Sequence, residues 1–184
     1  MPKITERKDY NGVLARIERL GLAPLVAELE EVLTGFELRV KEAKDANGGA
    51  AVRKLIDQRF DDAGGWTITK AGDVDWVKCH SVNGTKVCLG VEIQMSARSD
   101  LLVMDICHLR DALTEGVIDV GVLVVPDDTL ARFLTDRGPR FTDAVRHVRA
   151  ARAEDFPLLL LGLHHDGPGE GLAKQKKKKM LSEE

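Results

Sequence analysis

The sequence has no apolar run near the roughly 20 residues that a helix needs to span a bilayer. Its first residues, Met1-Pro2-Lys3-Ile4-Thr5-Glu6, lack the apolar stretch of a secretory signal, so the expectation is a cytoplasmic protein with no membrane partner. Cysteine is scarce: three residues, an odd number, which in that compartment argues against a disulfide framework. There is no basic excess either. Twenty-seven Lys and Arg against 30 Asp and Glu give a net charge of −3, so a nucleic-acid binder of this composition must concentrate its positive charge locally. Internal repeats and long linkers are also missing. What remains, 43% hydrophobic and 31% charged residues over 184 positions, is ordinary for a globular chain of about one domain.

Periodicity supplies the elements. Residues 13–20 read as a short amphipathic helix closed by Gly21. Leu25, Val26, Leu29, Val32, Leu33, Phe36 and Val40 recur at helical spacing and predict a long helix over 24–46, ended by Asn47-Gly48-Gly49. Val52, Leu55, Ile56 and Phe60 predict a third helix over 51–62. A short strand follows at 66–69, beyond Gly64-Gly65. Leu101, Leu102, Met104, Ile106, Leu109 and Leu113 mark a helix over 100–114 that Ser99 can cap. Residues 117–125 read as a central strand, Asp127 or Asp128 caps a short helix to Leu134, 141–153 is helical, and 158–163 is a buried strand. The expected architecture is α/β: a mixed β-sheet flanked by helices. It divides into a helical N-terminal part (1–63), a core (64–163) and a flexible basic tail (164–184).

Between 74 and 94 the period changes to two around Asn83-Gly84, the signal of a two-residue hairpin turn. That turn fixes register: Val82 faces Thr85, Cys79 faces Cys88 and, continued outward, Asp75 faces Glu92. Alternation puts Asp75, Cys79, Cys88, Glu92 and Gln94 on one face. Trp76, Val87, Leu89, Val91 and Ile93 take the other, which is therefore expected to face the core. Opposed carboxylates repel unless a cation lies between them. A hard divalent ion such as Mg²⁺ would resolve the conflict, since it binds through one or two carboxylates plus phosphate and water. A solvated hairpin end fits the same register.

Asp75 followed by Val91-Glu92-Ile93-Gln94 resembles the PD-(D/E)XK nuclease signature in its Glu-X-Gln variant, as found in restriction endonucleases of the BglII and BstYI kind. Gly65-Trp66, Asp75-Trp76-Val77-Lys78, the strand from Ile118 to Val122 ending at Pro126, and the segment from Pro157 to Gly162 are also similar to that group. The resemblance covers roughly residues 50–163. The Asp-to-Glu separation is longer than the group's pattern, but the extra residues form the hairpin and leave both carboxylates in register. The resemblance implies a restriction-endonuclease-like fold, a Mg²⁺ cofactor, double-stranded DNA as substrate and a homodimer matching a palindromic site with a GATC core. It implies Asp75 and Glu92 as metal ligands, with the Ile93 carbonyl a third. Gln94 stands where most such nucleases carry lysine. It can orient the attacking water but cannot act as a base at neutral pH.

Further candidates carry weaker signals. Arg98 and Ser99, just past the motif, would lie near DNA. Arg137 and Arg140 flank Gly138-Pro139 in a loop where BglII-like enzymes place base-contacting residues, and arginine reads guanine bidentately. Lys41 and Lys44 could contact phosphates, as could the lysine run at 174–179. Each of these also reads as a solvated surface residue. Cys79 and Cys88 near His80 suggest zinc, but His80 points to the opposite face, so buried small hydrophobes are the better reading. Adjacent His164 and His165 point apart and read as a strand end. The expected activity is therefore a type II-like restriction endonuclease. The alternatives are a PD-(D/E)XK nuclease of repair or modification-dependent type and a catalytically inactive DNA-binding relative.

Overall fold

The computed structural model describes residues 1–68, 73–96, 101–135 and 138–174. Thirteen elements follow along the described chain: β1 (Lys3–Asp9), α1 (Val13–Arg19), α2 (Ala23–Thr34), β2 (Arg39–Val40), α3 (Gly49–Ala63), β3 (Trp76–Val82), β4 (Thr85–Ile93), α4 (Leu102–Thr114), β5 (Val120–Pro126), α5 (Asp128–Phe133), α6 (Phe141–Ala150), β6 (Leu158–His164) and β7 (Gly167–Pro168). Five strands form one mixed sheet in the order β1-β6-β5-β4-β3. Its three inner strands run parallel and the two edges antiparallel. Strand β5 is central and buried along its whole length, as its unbroken apolar run requires.

Alternation along the inner strands feeds two cores. Val87, Leu89, Val91 and Ile93 of β4 pack with Val13, Leu29, Leu33, Val52, Ile56 and Phe60 from α1, α2 and α3. On the opposite face Val77 and Cys88 join Leu102, Ile106, Leu109, Ala144 and Val148 from α4 and α6. The Val87–Ile93 face meets the core as expected, and the opposite face, which carries Cys79 and Cys88, is covered as well. Both faces are covered, because β5 and β6 are apolar on both sides and need helices over each.

The hairpin register holds at every pair from Trp76↔Val91 to Val82↔Thr85. Asn83 and Gly84 both take positive φ, 51° and 81°, the backbone that a tight primed turn demands. Cys79 and Cys88 are opposed with Cα atoms 4.0 Å apart and joined as a disulfide, which corrects the expectation of two unlinked buried thiols. Register puts them on one face at a closely spaced pair, the geometry that permits a bridge. Cys107 is free.

Other departures have local causes. The helix expected to run to residue 46 stops at Thr34. Gly35 follows, and the chain extends so that Val40 pairs with Pro168 and the Leu38 carbonyl accepts from the Asp166 amide. Lys41 and Lys44 therefore lie in the loop before α3, not on a helix. Strand β1 was unforeseen. Beyond His164 the chain does not become a free tail at once. Asp166 binds the N-terminal amine at 2.9 Å, Gly169 donates to Val40, and Leu172 donates to Asn47. At 66–69 only a single bridge, Thr67 to Val77, stands in for the expected strand among the described residues. Arg98, Ser99, Arg137 and most of the terminal lysine run lie outside the described residues.

Candidate active site

Strands β3 and β4 end side by side where α3, from one face of the sheet, and α4, from the other, close over the sheet end. Asp75 immediately precedes β3, and Glu92 is the penultimate residue of β4. Glu92 is 2% exposed, beneath α4. Its carboxyl shares a hydrogen bond with Asp75. Burial, then the Asp75 charge, push the Glu92 carboxyl up to about 11, so at neutral pH it keeps its proton. The strand pairing itself stops at Trp76↔Val91, one step before these two residues, and it is their side chains that interact.

Two residues that sequence reading missed come from α4. Asp105 and His108 sit three positions apart, hence on one helical face, and that face is turned to Glu92. His108 Nδ1 lies 3.3 Å from Glu92 Oε1. Glu92, Asp105 and His108 each offer a ligand atom within 4.8 Å of the others. Burial first, then the Asp75 charge, raise Asp105 to about 7, while a hydrogen bond from the Gln94 side chain acts the other way. Asp105 Oδ2 is buried without a hydrogen-bond partner among the described residues. The Asp-x-x-His spacing was visible, but the apolar residues of α4 do not specify which flank of the helix meets the sheet end.

A third missed residue is Arg53 of α3. Its Nη1 donates to Asp75 Oδ2 at 2.9 Å and to the Ile93 carbonyl at 2.6 Å, and its Nε donates to Asp57 Oδ1 at 2.8 Å. The Ile93 amide donates to Asp75 Oδ2 as well, at 2.9 Å. Helix α3 approaches this closely because it begins at Gly49, where a Cβ would stand 2.1 Å from the Met95 carbonyl oxygen. Gln94 continues the strand, its amide donating to the Val124 carbonyl.

The donor set fits a hard divalent cation. Three carboxyls and a carbonyl crowd one sheet end, two of the carboxyls are raised by burial and then by the Asp75 charge, and one carboxylate oxygen is orphaned.

The DNA-contact candidates gather in part. Lys44 and Arg140 line one cavity of about 530 Å³ together with Arg132, Gly138, Asp45 and Asp143. Beside it, buried Asn47 ties the Lys41 segment to the end of α5: it bonds both the amide and the carbonyl of Lys41, and its side-chain amide also reaches the Phe133 carbonyl. A Cβ on Gly138 would lie 3.8 Å from the Met95 carbonyl oxygen, so this cavity wall adjoins the strand end that carries Gln94.

A mixed sheet between helical layers, with acids closing a hairpin at its end, is the frame of a restriction-endonuclease-like nuclease. The family model described as "Restriction endonuclease BglII/BglIII" matches residues 18–163, and the chain belongs to that family. It is accordingly a type II restriction endonuclease, a DNA-binding hydrolase that acts as an endodeoxyribonuclease. No curated protein matches it. No helix among the described residues is long and apolar enough to cross a membrane.

Proposed function

We propose that this endonuclease cuts both strands of a short palindromic duplex site with a GATC core, as a cytoplasmic Mg²⁺-dependent homodimer. The observation that carries the reading is the direct contact of Asp75 with buried Glu92, on the strand that continues to Gln94. Asp75, Glu92 and the Ile93 carbonyl are the ligands that this reading assigns to the ion, with Asp105 and His108 completing its surroundings. When bound, Mg²⁺ would supply charge neutralisation at the phosphate and lower the pKa of water.

The protein's own groups do the rest. Gln94, whose side chain reaches Asp105, orients the attacking water by hydrogen bonding. Lys44, Arg132 and Arg140 draw the backbone into the adjoining cavity, where Asp45 and Asp143 keep the local charge from becoming uniformly basic. Strand β4, bonded on both sides, holds Glu92 rigidly against α4. Residues 1–163 would form the nuclease domain. One dyad-related copy per DNA strand accounts for double-strand cutting.

Purified protein incubated with plasmid DNA in Mg²⁺ should yield discrete linear fragments whose mapped ends share one palindrome. Random nicking, or fragments formed equally in excess chelator, would count against the reading.

A further inference from the structure

Arg53 Nη1 is a single cationic nitrogen bridging two oxygens, Asp75 Oδ2 just before β3 at 2.9 Å and the Ile93 carbonyl at the end of β4 at 2.6 Å. Both belong to groups assigned above to the divalent ion, the Asp75 carboxylate and the Ile93 carbonyl. A guanidinium stays protonated at any working pH, so loss of a proton cannot relieve its repulsion toward a second cation. In a partly buried site, with the Arg53 and Asp75 side chains both about a quarter exposed, the repulsion is only partly screened. The ion and the guanidinium are therefore alternative partners of the same oxygens.

The side chain also has somewhere to go. Its Nε is anchored on Asp57, whose Oδ1 also accepts from Trp76 Nε1 at 3.2 Å. The Arg53 side chain is 26% exposed, so the end of the fork can swing about that anchor toward solvent. A planar fork of N–H donors freed at a phosphodiester site matches phosphate oxygens bidentately.

We propose, on the metal-site reading given above, that Arg53 is an exchanging active-site residue: the ion takes over Asp75 and the Ile93 carbonyl, and the released guanidinium holds the scissile phosphate. Arg53 would thus balance the Asp75 charge before the ion arrives and bind substrate afterwards.

The test reads binding rather than cleavage. Ca²⁺ is titrated by calorimetry into the full chain without DNA, comparing wild type, Arg53→Met, Arg53→Lys and Asp75→Asn. Arg53→Met should bind Ca²⁺ at least tenfold more tightly than wild type, because its competitor is gone. In saturating Ca²⁺ the same variant should bind cognate duplex at least tenfold more weakly, because the phosphate contact is gone. Unchanged or weaker Ca²⁺ binding would overturn the exchange and make Arg53 a fixed brace. Unchanged duplex binding would overturn the phosphate contact. Should Arg53→Met fail to fold by circular dichroism, Arg53→Lys decides. Its ammonium cannot keep the Asp57 anchor while bridging both oxygens, so a gain of at least threefold in Ca²⁺ affinity is expected, and no gain refutes the exchange. Asp75→Asn should lose Ca²⁺ binding. If it binds like wild type, the fault lies in the metal-site reading itself, and this proposal falls with it.

Discussion

Glu92 cannot be an ordinary surface acid: it is buried, it hydrogen-bonds Asp75, and its carboxyl is pushed up to about 11 by burial and then by the Asp75 charge. An acid whose folded pKa lies above its unfolded value of about 4.5 contributes stability below that value and loses it as pH rises toward 11. Asp105, raised to about 7, loses its contribution between roughly pH 4 and 7. Any divalent ion binding here must expel the Glu92 proton, so Ca²⁺ affinity should rise from pH 6 to 8, by up to about tenfold per unit for each proton displaced. Calorimetry in two buffers of different ionisation enthalpy counts the released protons. A pH-flat affinity with no proton release would show that the ion binds elsewhere. In cleavage, Asp75→Ala or Glu92→Ala should abolish cutting while circular dichroism stays native, and Gln94→Ala should slow it less than either. Asp75, Glu92 and Gln94 were legible because a two-residue turn sets the phase of every side chain after it. Arg53, Asp105 and His108 were not. They arrive from helices whose rotation over the sheet depends on packing against distant strands, and no local spacing encodes that.

The hairpin was the most readable element, and the disulfide across it the least expected. Sequence placed Cys79 opposite Cys88, yet compartment reasoning argued against the bond that this placement makes possible. The bridge closes a loop of nine residues' separation, and chain-entropy reasoning puts its upper contribution at about 3 kcal/mol. The turn already orders that segment, so reduction should lower unfolding stability by about 1–2 kcal/mol. Guanidinium unfolding with and without reductant measures this, with Cys79→Ala/Cys88→Ala as a control that should be insensitive to reductant. Equal midpoints in both conditions would mean that the bond adds no stability. Elsewhere legibility followed hydrophobic content. Strand β1 has one aliphatic residue, Ile4, among charged and polar neighbours, because an edge strand needs apolar groups on one side at most and gains protection from charge. Helix α2 was extended too far because Phe36 and Val40 are spaced for a helix yet are buried or half-buried from extended chain, beyond a break at Gly35. The short β2–β7 pair depends on a partner 128 positions away, Arg39 against Gly167, which no window of sequence contains.

At the scale of the molecule, a chain of net charge −3 has to bind a polyanion. Its charge is divided locally: Lys44, Arg132 and Arg140 outnumber Asp45 and Asp143 in one cavity beside the strand end, while acids crowd the sheet end itself. The acidic centre stands where a phosphate must come. Without a divalent ion its charge is largely offset, by the Glu92 proton and by Arg53 on Asp75, so it offers DNA no attraction; with one it should attract it. Ca²⁺ takes the same oxygen ligands as Mg²⁺ with longer bonds and looser geometry, so it should support binding but little hydrolysis. Duplex affinity at fixed ionic strength should therefore be weak in chelator and strengthen in Ca²⁺, and Asp75→Asn should blunt the difference by removing one charge. Arg140→Ala, if Arg140 reads a base, should cost about 1–3 kcal/mol of discrimination between cognate and altered sites in Ca²⁺. A uniform loss across all sequences would reassign it to a phosphate. An inactive DNA-binding relative would behave differently, with affinity indifferent to divalent ions and governed by monovalent salt through counterion release. Tight, sequence-specific binding in chelator, unchanged by Ca²⁺ or Mg²⁺ and never followed by cleavage, would defeat the metal-dependent mechanism.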